Sequence, residues 1–193
     1  MLHTQLEQYS IILGSRSPRR QELLRGMGID FSVVVSDADE SFPDSMSKEE
    51  IPVFLAEKKA ESISLPNETT LVITADTIVW LHNKVLNKPA DAAEAVDMLS
   101  ALSGHTHEVL TGVCLKTKQK KRSFYASSRV TFAPLTKNEI AYYVEKYKPF
   151  DKAGAYGVQE WIGYVGVNHI EGSFYNVMGL PTTMLYGELK KFV

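Results

Sequence analysis

The stretch Leu13-Gly-Ser-Arg-Ser-Pro-Arg-Arg20 joins the short apolar run Tyr9-Ser-Ile-Ile-Leu13 to Gln21-Glu-Leu-Leu-Arg-Gly-Met-Gly28. The first run is β-branched and reads as a buried strand. The second places Leu23, Leu24 and Met27 on one helical face and ends at Gly28, a stop signal. Ser17 suits an N-cap and Pro18 a first helical residue. A strand running through a tight turn into a helix points to an α/β protein. The turn also sets Arg19 and Arg20 at the positive end of the helix dipole, where cations are disfavoured by up to about 1 kcal/mol. A bound anion reverses that sign, because free N–H groups, the Ser15 and Ser17 hydroxyls and two guanidiniums would converge on phosphate oxygens. The alternatives are a solvated basic turn or a disordered Ser-Pro motif, and the flanking strand and helix argue against disorder.

Moving outward, a strand is expected from about Phe31 to Val35, followed by the acidic loop Ser36-Asp-Ala-Asp-Glu-Ser-Phe-Pro-Asp44. Ser47-Lys-Glu-Glu50 is a capping box opening a helix to about Ile63. Leu71 to Leu81 is a strongly apolar strand, and His82-Asn-Lys84 turns into Val85-Leu86. Asp91 to Leu102 reads as a helix stopped by Gly104. Two strands, about 106–117 and 122–133, meet at a lysine-rich tip that charge-run statistics make a solvated hairpin end. Thr136-Lys-Asn-Glu139 is a second capping box, for a helix to about Tyr147. Strand-like segments are expected over about 161–178, and Pro181 can start the last helix. Without a strict βαβ alternation, the expectation is α/β with a mixed sheet.

Composition narrows the class. A chain of 193 residues, 44% hydrophobic and 23% charged, supports one substantial core, with one domain of two lobes as the default. A formal charge of −2 gives no bulk attraction to nucleic acid or to an anionic membrane. No run approaches the roughly 20 apolar residues of a membrane span, and the polar N-terminus lacks the pattern of a signal peptide. The single cysteine, Cys114, excludes an intrachain disulfide, fits a reducing cytoplasm and reads as a small core hydrophobe.

Four places carry chemistry. Asp76 is the one charge in Leu71–Leu81. An unpartnered buried carboxylate costs several kcal/mol, so it needs a cation, a metal, donors or an opening of the strand; a bulge whose backbone N–H groups satisfy it is the alternative. Lys59 falls near the centre of an apolar arc formed by Ile51, Leu55, Ala56 and Ile63, so its ammonium either snorkels outward or meets a buried anion. Asp37, Asp39, Glu40 and Asp44 fail as a calcium loop, because Phe42 and Lys48 stand where Gly and Glu are needed, yet one or two of them suit Mg²⁺. Asp151-Lys-Ala-Gly-Ala-Tyr-Gly-Val-Gln159 has two glycines that permit close backbone approach and an amide matching a nucleobase edge. His105-x-His107 lacks a third metal ligand. Walker A and GxGxxG loops are absent.

Taken in order, Ser15-Arg-Ser-Pro-Arg-Arg20, Leu55-Ala-Glu-Lys-Lys-Ala60, Ala75-Asp-Thr-Ile-Val79, Lys88-Pro89, Leu102-Ser-Gly104, Asp151–Gln159 and Gly172-Ser-Phe-Tyr-Asn-Val-Met-Gly-Leu-Pro181 make a specific set. The chain resembles the Maf family of nucleoside triphosphate pyrophosphatases from about residue 11 to 187. The resemblance implies a mixed α/β fold shared with the inosine triphosphate pyrophosphatases, with an elongated sheet, flanking helices and a cleft between two lobes. It implies Asp76 as proton acceptor, Glu40 as a metal or water partner, and Ser15, Arg20, Lys59 and Lys88 at phosphate-binding positions, with Lys152 adding charge. Arg19, Thr77 and Gln159 would govern base choice, and Lys152, Tyr156 and Gln159 favour the dTTP/UTP branch over that handling 7-methylguanosine triphosphate. The implied reaction releases a nucleoside monophosphate and pyrophosphate with Mg²⁺ or Mn²⁺, in the cytoplasm, with a homodimer expected. A nucleotide-binding regulator of septum formation that does not hydrolyse is the alternative, and a terminal phosphatase a third. Gly14, Asn87 and Glu160-Trp-Ile162 depart from the family pattern, standing where alanine, glutamate and small residues are usual.

Overall fold

The computed structural model describes all 193 residues, Met1–Val193. In chain order the elements are α1 (Leu2–Leu6), β1 (Ser10–Leu13), α2 (Pro18–Gly26), β2 (Ser32–Val33), α3 (Glu50–Glu61), β3 (Thr70–Leu81), β4 (Lys84–Leu86) and α4 (Ala92–Leu102). They continue with β5 (Thr106–Lys116), β6 (Lys121–Phe132), α5 (Lys137–Tyr147), a 3₁₀ turn (Ala153–Ala155), α6 (Trp161–Gly166), β7 (Val167–Glu171), α7 (Phe174–Met178) and α8 (Thr182–Phe192). The strands pair in the order β2-β1-β3-β5-β6-β7, with β4 also on β3. β1 is parallel to both β2 and β3, whereas β3–β4 and β6–β7 are antiparallel, so the sheet is mixed as the element pattern suggested. No helix is long and apolar enough to cross a membrane.

The chain divides into two compact units. The first holds Met1–Asp76, Thr111–Ala126 and Gly179–Val193; the second holds Thr77–Leu110 and Ser127–Met178. In the first, Ile11 and Leu13 are buried on β1, and residues 10–13 pair in register with 70–73 of β3. Ala56, Ala60 and Ile63 pack with Val72 and Cys114, so the apolar arc of α3 is core and Cys114 is the small hydrophobe its neighbours implied. Gly112 on β5 lets the start of α3 come close, since a Cβ there would fall 2.2 Å from the Pro52 carbonyl carbon. In the second unit, α4 packs on α5, with Leu99, Leu102, Ile140 and Tyr143 buried. Asp91 caps α4 through the Glu94 N–H, and Thr136 with Glu139 completes the expected capping box of α5.

Two expectations need correction. Residues 161–178 are not mainly strand: only Val167–Glu171 is, between the short helices α6 and α7. The Glu160 carbonyl accepts the Gly163 and Tyr164 N–H groups, which starts α6, and Ser173 with Ser128 and Asn176 pins α7. Helices of five or six residues are too short for periodicity to register. The N-terminal segment, for which no element was expected, forms α1, with Leu2 and Leu6 buried. The strand expected over 31–35 is confined to Ser32–Val33. The lysine-rich tip is exposed over residues 118–122, as expected of a hairpin end. Lys116 pairs with Glu61 at 2.5 Å and Lys121 with Glu57 at 3.1 Å, which ties the β5–β6 end to α3.

Candidate active site

In the first unit, the Gly14 N–H donates to the Ile73 carbonyl at 2.8 Å, so the chain leaves β1 still attached to β3. The next residues build the expected turn. The buried Ser15 hydroxyl accepts from the Ser17 N–H at 3.2 Å, and Ser17 caps α2 through the Arg20 N–H at 3.5 Å. Arg20 folds back over this turn, donating from Nη1 to Ser15 Oγ at 3.4 Å and from Nε to the Gly179 carbonyl at 2.8 Å. Burial pushes its pKa down, opposed by the nearby Asp76, then aided by Arg19 and opposed by Glu40. Arginine remains a cation under such shifts. The two first-turn arginines and two carboxylates therefore belong to one electrostatic neighbourhood.

Lys59 resolves the choice left open by its helical position. Its ammonium does not snorkel to water; it lies 2.5 Å from Asp76 Oδ1 and 2.8 Å from Glu40 Oε1. The Lys59 and Asp76 side chains keep only 12% and 11% of their exposure, so each charge depends on the other for compensation. Asp76 thus finds the cation that its burial calls for. Of the other acidic-loop residues, Asp37 meets Arg16 at 3.4 Å and Asp39 meets Lys58 at 2.9 Å. Bonds from Ser41 and Lys58 hold Asp39 down at about 2.

No group of three or more His, Cys, Asp or Glu side chains is arranged as a metal cage. The donor set still fits one kind of ion. Glu40 and Asp76 direct one oxygen each at a single cationic centre, the Lys59 ammonium. Mg²⁺ characteristically takes one or two carboxylates and completes its shell with phosphate oxygens and water.

In the second unit, Thr77 follows Asp76 along β3, Lys88 is exposed after β4, and Lys152 and Gln159 lie on the Gly-bearing loop. The loop is held at several points. The Gly154 N–H donates to the Asn87 carbonyl at 3.2 Å, so the residue replacing the family glutamate acts here through its backbone. Gly154 has φ +67°, and a Cβ would fall 3.0 Å from the Val79 side chain. Tyr156 Oη lies 2.7 Å from Nε2 of His107, with Phe132 edge-on to both rings. His107 is therefore a buried packing residue, whereas His105 is exposed. Lys152 shares its ammonium between Asp151 at 2.7 Å and Glu160 at 3.2 Å. Gln159 Oε1 is buried and has no hydrogen-bond partner.

The first unit therefore gathers Ser15, Arg20, Glu40, Lys59 and Asp76, and the second gathers Lys152 and Gln159 on one pinned loop. Sequence reasoning missed the Gly179 carbonyl and the pairing of Tyr143 with Glu160, because neither residue type announces a partner so distant in the chain.

Comparison with known proteins defines the class first. The solved structure of the Staphylococcus aureus Ham1 protein superimposes with a TM-score of 0.50 at 14% identity, covering 93% of this chain and 99% of that one. That likeness shows the α/β fold. The family follows from sequence: residues 10–192 match the family described as Maf-like protein, and the chain belongs to it. A relative from Parabacteroides distasonis, named dTTP/UTP pyrophosphatase, is 57% identical over 189 residues, covering 97% of this chain and 98% of its own. Proteins of the same name from Bacteroides thetaiotaomicron and Porphyromonas gingivalis are 57% and 51% identical, each across at least 96% of both chains.

Proposed function

We propose that this protein hydrolyses dTTP and UTP to the nucleoside monophosphate and pyrophosphate. The observation that carries the reading is the approach of Lys59 and Arg20 to the one carboxylate, Asp76, within an otherwise apolar strand. Polyphosphate oxygens would supply the two cations with other anionic partners, leaving Asp76 as a base beside the attacked phosphorus. Asp76 then accepts a proton from water as the water oxygen bonds the α-phosphorus and the α–β bridging oxygen leaves with pyrophosphate. Arg20, Lys59 and Lys88 stabilise the charge on the transferring and leaving groups, with Ser15 holding Arg20 in place. A divalent ion held by Glu40 and Asp76 would neutralise phosphate charge and lower the pKa of a bound water. Lys152 is assigned to holding its own loop, through Asp151 and Glu160.

Base choice is assigned to Arg19, Thr77 and Gln159. Uracil and thymine present an imide N–H between two carbonyl oxygens, and a carboxamide offers one acceptor and one donor to that edge. The unpartnered Gln159 Oε1 is an acceptor of the required kind, and buried polar atoms rarely stay unpaired. The names and near-full coverage of the relatives support the same substrates. Each nucleoside triphosphate is to be incubated with Mg²⁺ or Mn²⁺ and the products resolved. UMP or dTMP with pyrophosphate is expected. Diphosphate with orthophosphate would replace the proposed reaction by a terminal phosphatase, and binding without turnover would replace it by a regulator.

A further inference from the structure

We infer that Glu160 is a positioning residue for base selectivity, fixing the orientation of Gln159 by bridging Tyr143 on α5 and Lys152. The inference rests on the proposed role of Gln159. The Glu160 carboxylate is engaged on both sides. Oε2 accepts from the Tyr143 hydroxyl, and Oε1 pairs with Lys152 Nζ at 3.2 Å. The same Tyr143 oxygen accepts the Gly157 N–H at 3.0 Å. Gly157 makes room for the bridge, since a Cβ there would fall 2.8 Å from the Glu160 carboxyl carbon. The Glu160 N–H closes a turn to the Gly157 carbonyl at 3.0 Å, and its own carbonyl starts α6. Gln159 therefore lies between two residues tied to one fully buried tyrosine, on an element outside the loop.

A carboxamide is nearly symmetric in shape but not in hydrogen bonding. Turned one way it accepts from the uracil N3–H; turned over, its NH₂ donates to the cytosine N3. A clamp on Gly157 and Glu160, on either side of Gln159, holds one orientation and rejects the other base. Removing the Glu160 carboxylate frees the turn, and Lys152 keeps Asp151 as a counter-ion at 2.7 Å, so no buried charge is stranded.

The test compares wild type, Glu160→Ala, Glu160→Gln and Tyr143→Phe as full chains, with UTP and CTP as substrates and inorganic triphosphate as competitive inhibitor. For Glu160→Ala, the preference for UTP over CTP in kcat/KM should narrow by about tenfold to a hundredfold, the range a small misplacement of a recognition group costs. The change should lie in KM for UTP, with kcat and triphosphate inhibition unchanged. Tyr143→Phe should move the ratio the same way, and Glu160→Gln, which keeps an acceptor oxygen, should restore most of it. Cooperatively folding Glu160→Ala and Tyr143→Phe with the wild-type UTP:CTP ratio overturn the inference, as does a loss confined to kcat. If Glu160→Ala does not fold, Tyr143→Phe decides by the same ratio. A wild type that turns over neither UTP nor dTTP removes the proposed function and this inference with it, whereas active wild type with unchanged variants removes the inference alone.

Discussion

Lowering the pH should destabilise the second unit through one histidine. His107 is 2% exposed; its Nε2 lies 2.7 Å from Tyr156 Oη, and its Nδ1 is buried without a partner. A protonated imidazole needs acceptors at both nitrogens, and here one faces packed side chains. Burial accordingly pushes the pKa from 6.5 down to about 4. Below pH 6.5 the unfolded chain binds a proton at this position that the folded chain refuses, so stability falls as pH drops from 6.5 towards 4 and is fully present above 6.5. The gap amounts to about 3 kcal/mol over the whole window and about 2 kcal/mol at pH 5. For a chain of this length, about 2 kcal/mol corresponds to a Tm fall of roughly 4–8 °C. Thermal unfolding at pH 7 and pH 5 should show that extra fall in wild type and not in His107→Gln, whose amide keeps a bond for Tyr156 without titrating. Equal losses in the two proteins would refute the reasoning.

Other outcomes follow from the same contacts. Asp76→Asn should cut turnover of UTP by about 10²–10⁴ with a much smaller effect on binding, measured by steady-state kinetics and calorimetry; near-normal turnover would exclude it as the base. Gly14→Ala, which restores the residue common in the family, should cost about 1–3 kcal/mol in denaturant unfolding. Its Cβ would fall 2.4 Å from Ile63 Cδ1 and 2.6 Å from Thr74 Cγ2. Ile63→Val in the same background should recover part of that loss, and an unchanged midpoint for Gly14→Ala would contradict the packing described.

What the sequence made legible was local chemistry with an electrostatic signature. A strand, a hydroxyl cap and a proline defined the β1–α2 turn, and the structure forms it with Ser17 capping Arg20 as read. A lysine on an apolar arc and an aspartate in an apolar strand each demanded a partner, and each turned out to be the other's. Burial penalties made these anomalies visible, since ordinary surface charges make no such demand. Contacts between ordinary residues far apart in the chain were not legible. Nothing about Gly179 predicts that its carbonyl holds Arg20, and nothing about Tyr143 predicts Glu160. The 161–178 segment was misread because its helices are short: the Glu160 carbonyl starts α6, and Gly163, a poor helix former in isolation, lets it approach the Val158 carbonyl, where a Cβ would fall 1.7 Å away.

The central claim is that water, deprotonated by Asp76, attacks the innermost phosphorus of a pyrimidine nucleoside triphosphate. Turnover of UTP in ¹⁸O-labelled water, with both products examined by mass spectrometry, tests it directly. The claim predicts one label in UMP and none in pyrophosphate. Label in pyrophosphate, with UMP unlabelled, would place the attack on the β-phosphorus and contradict it.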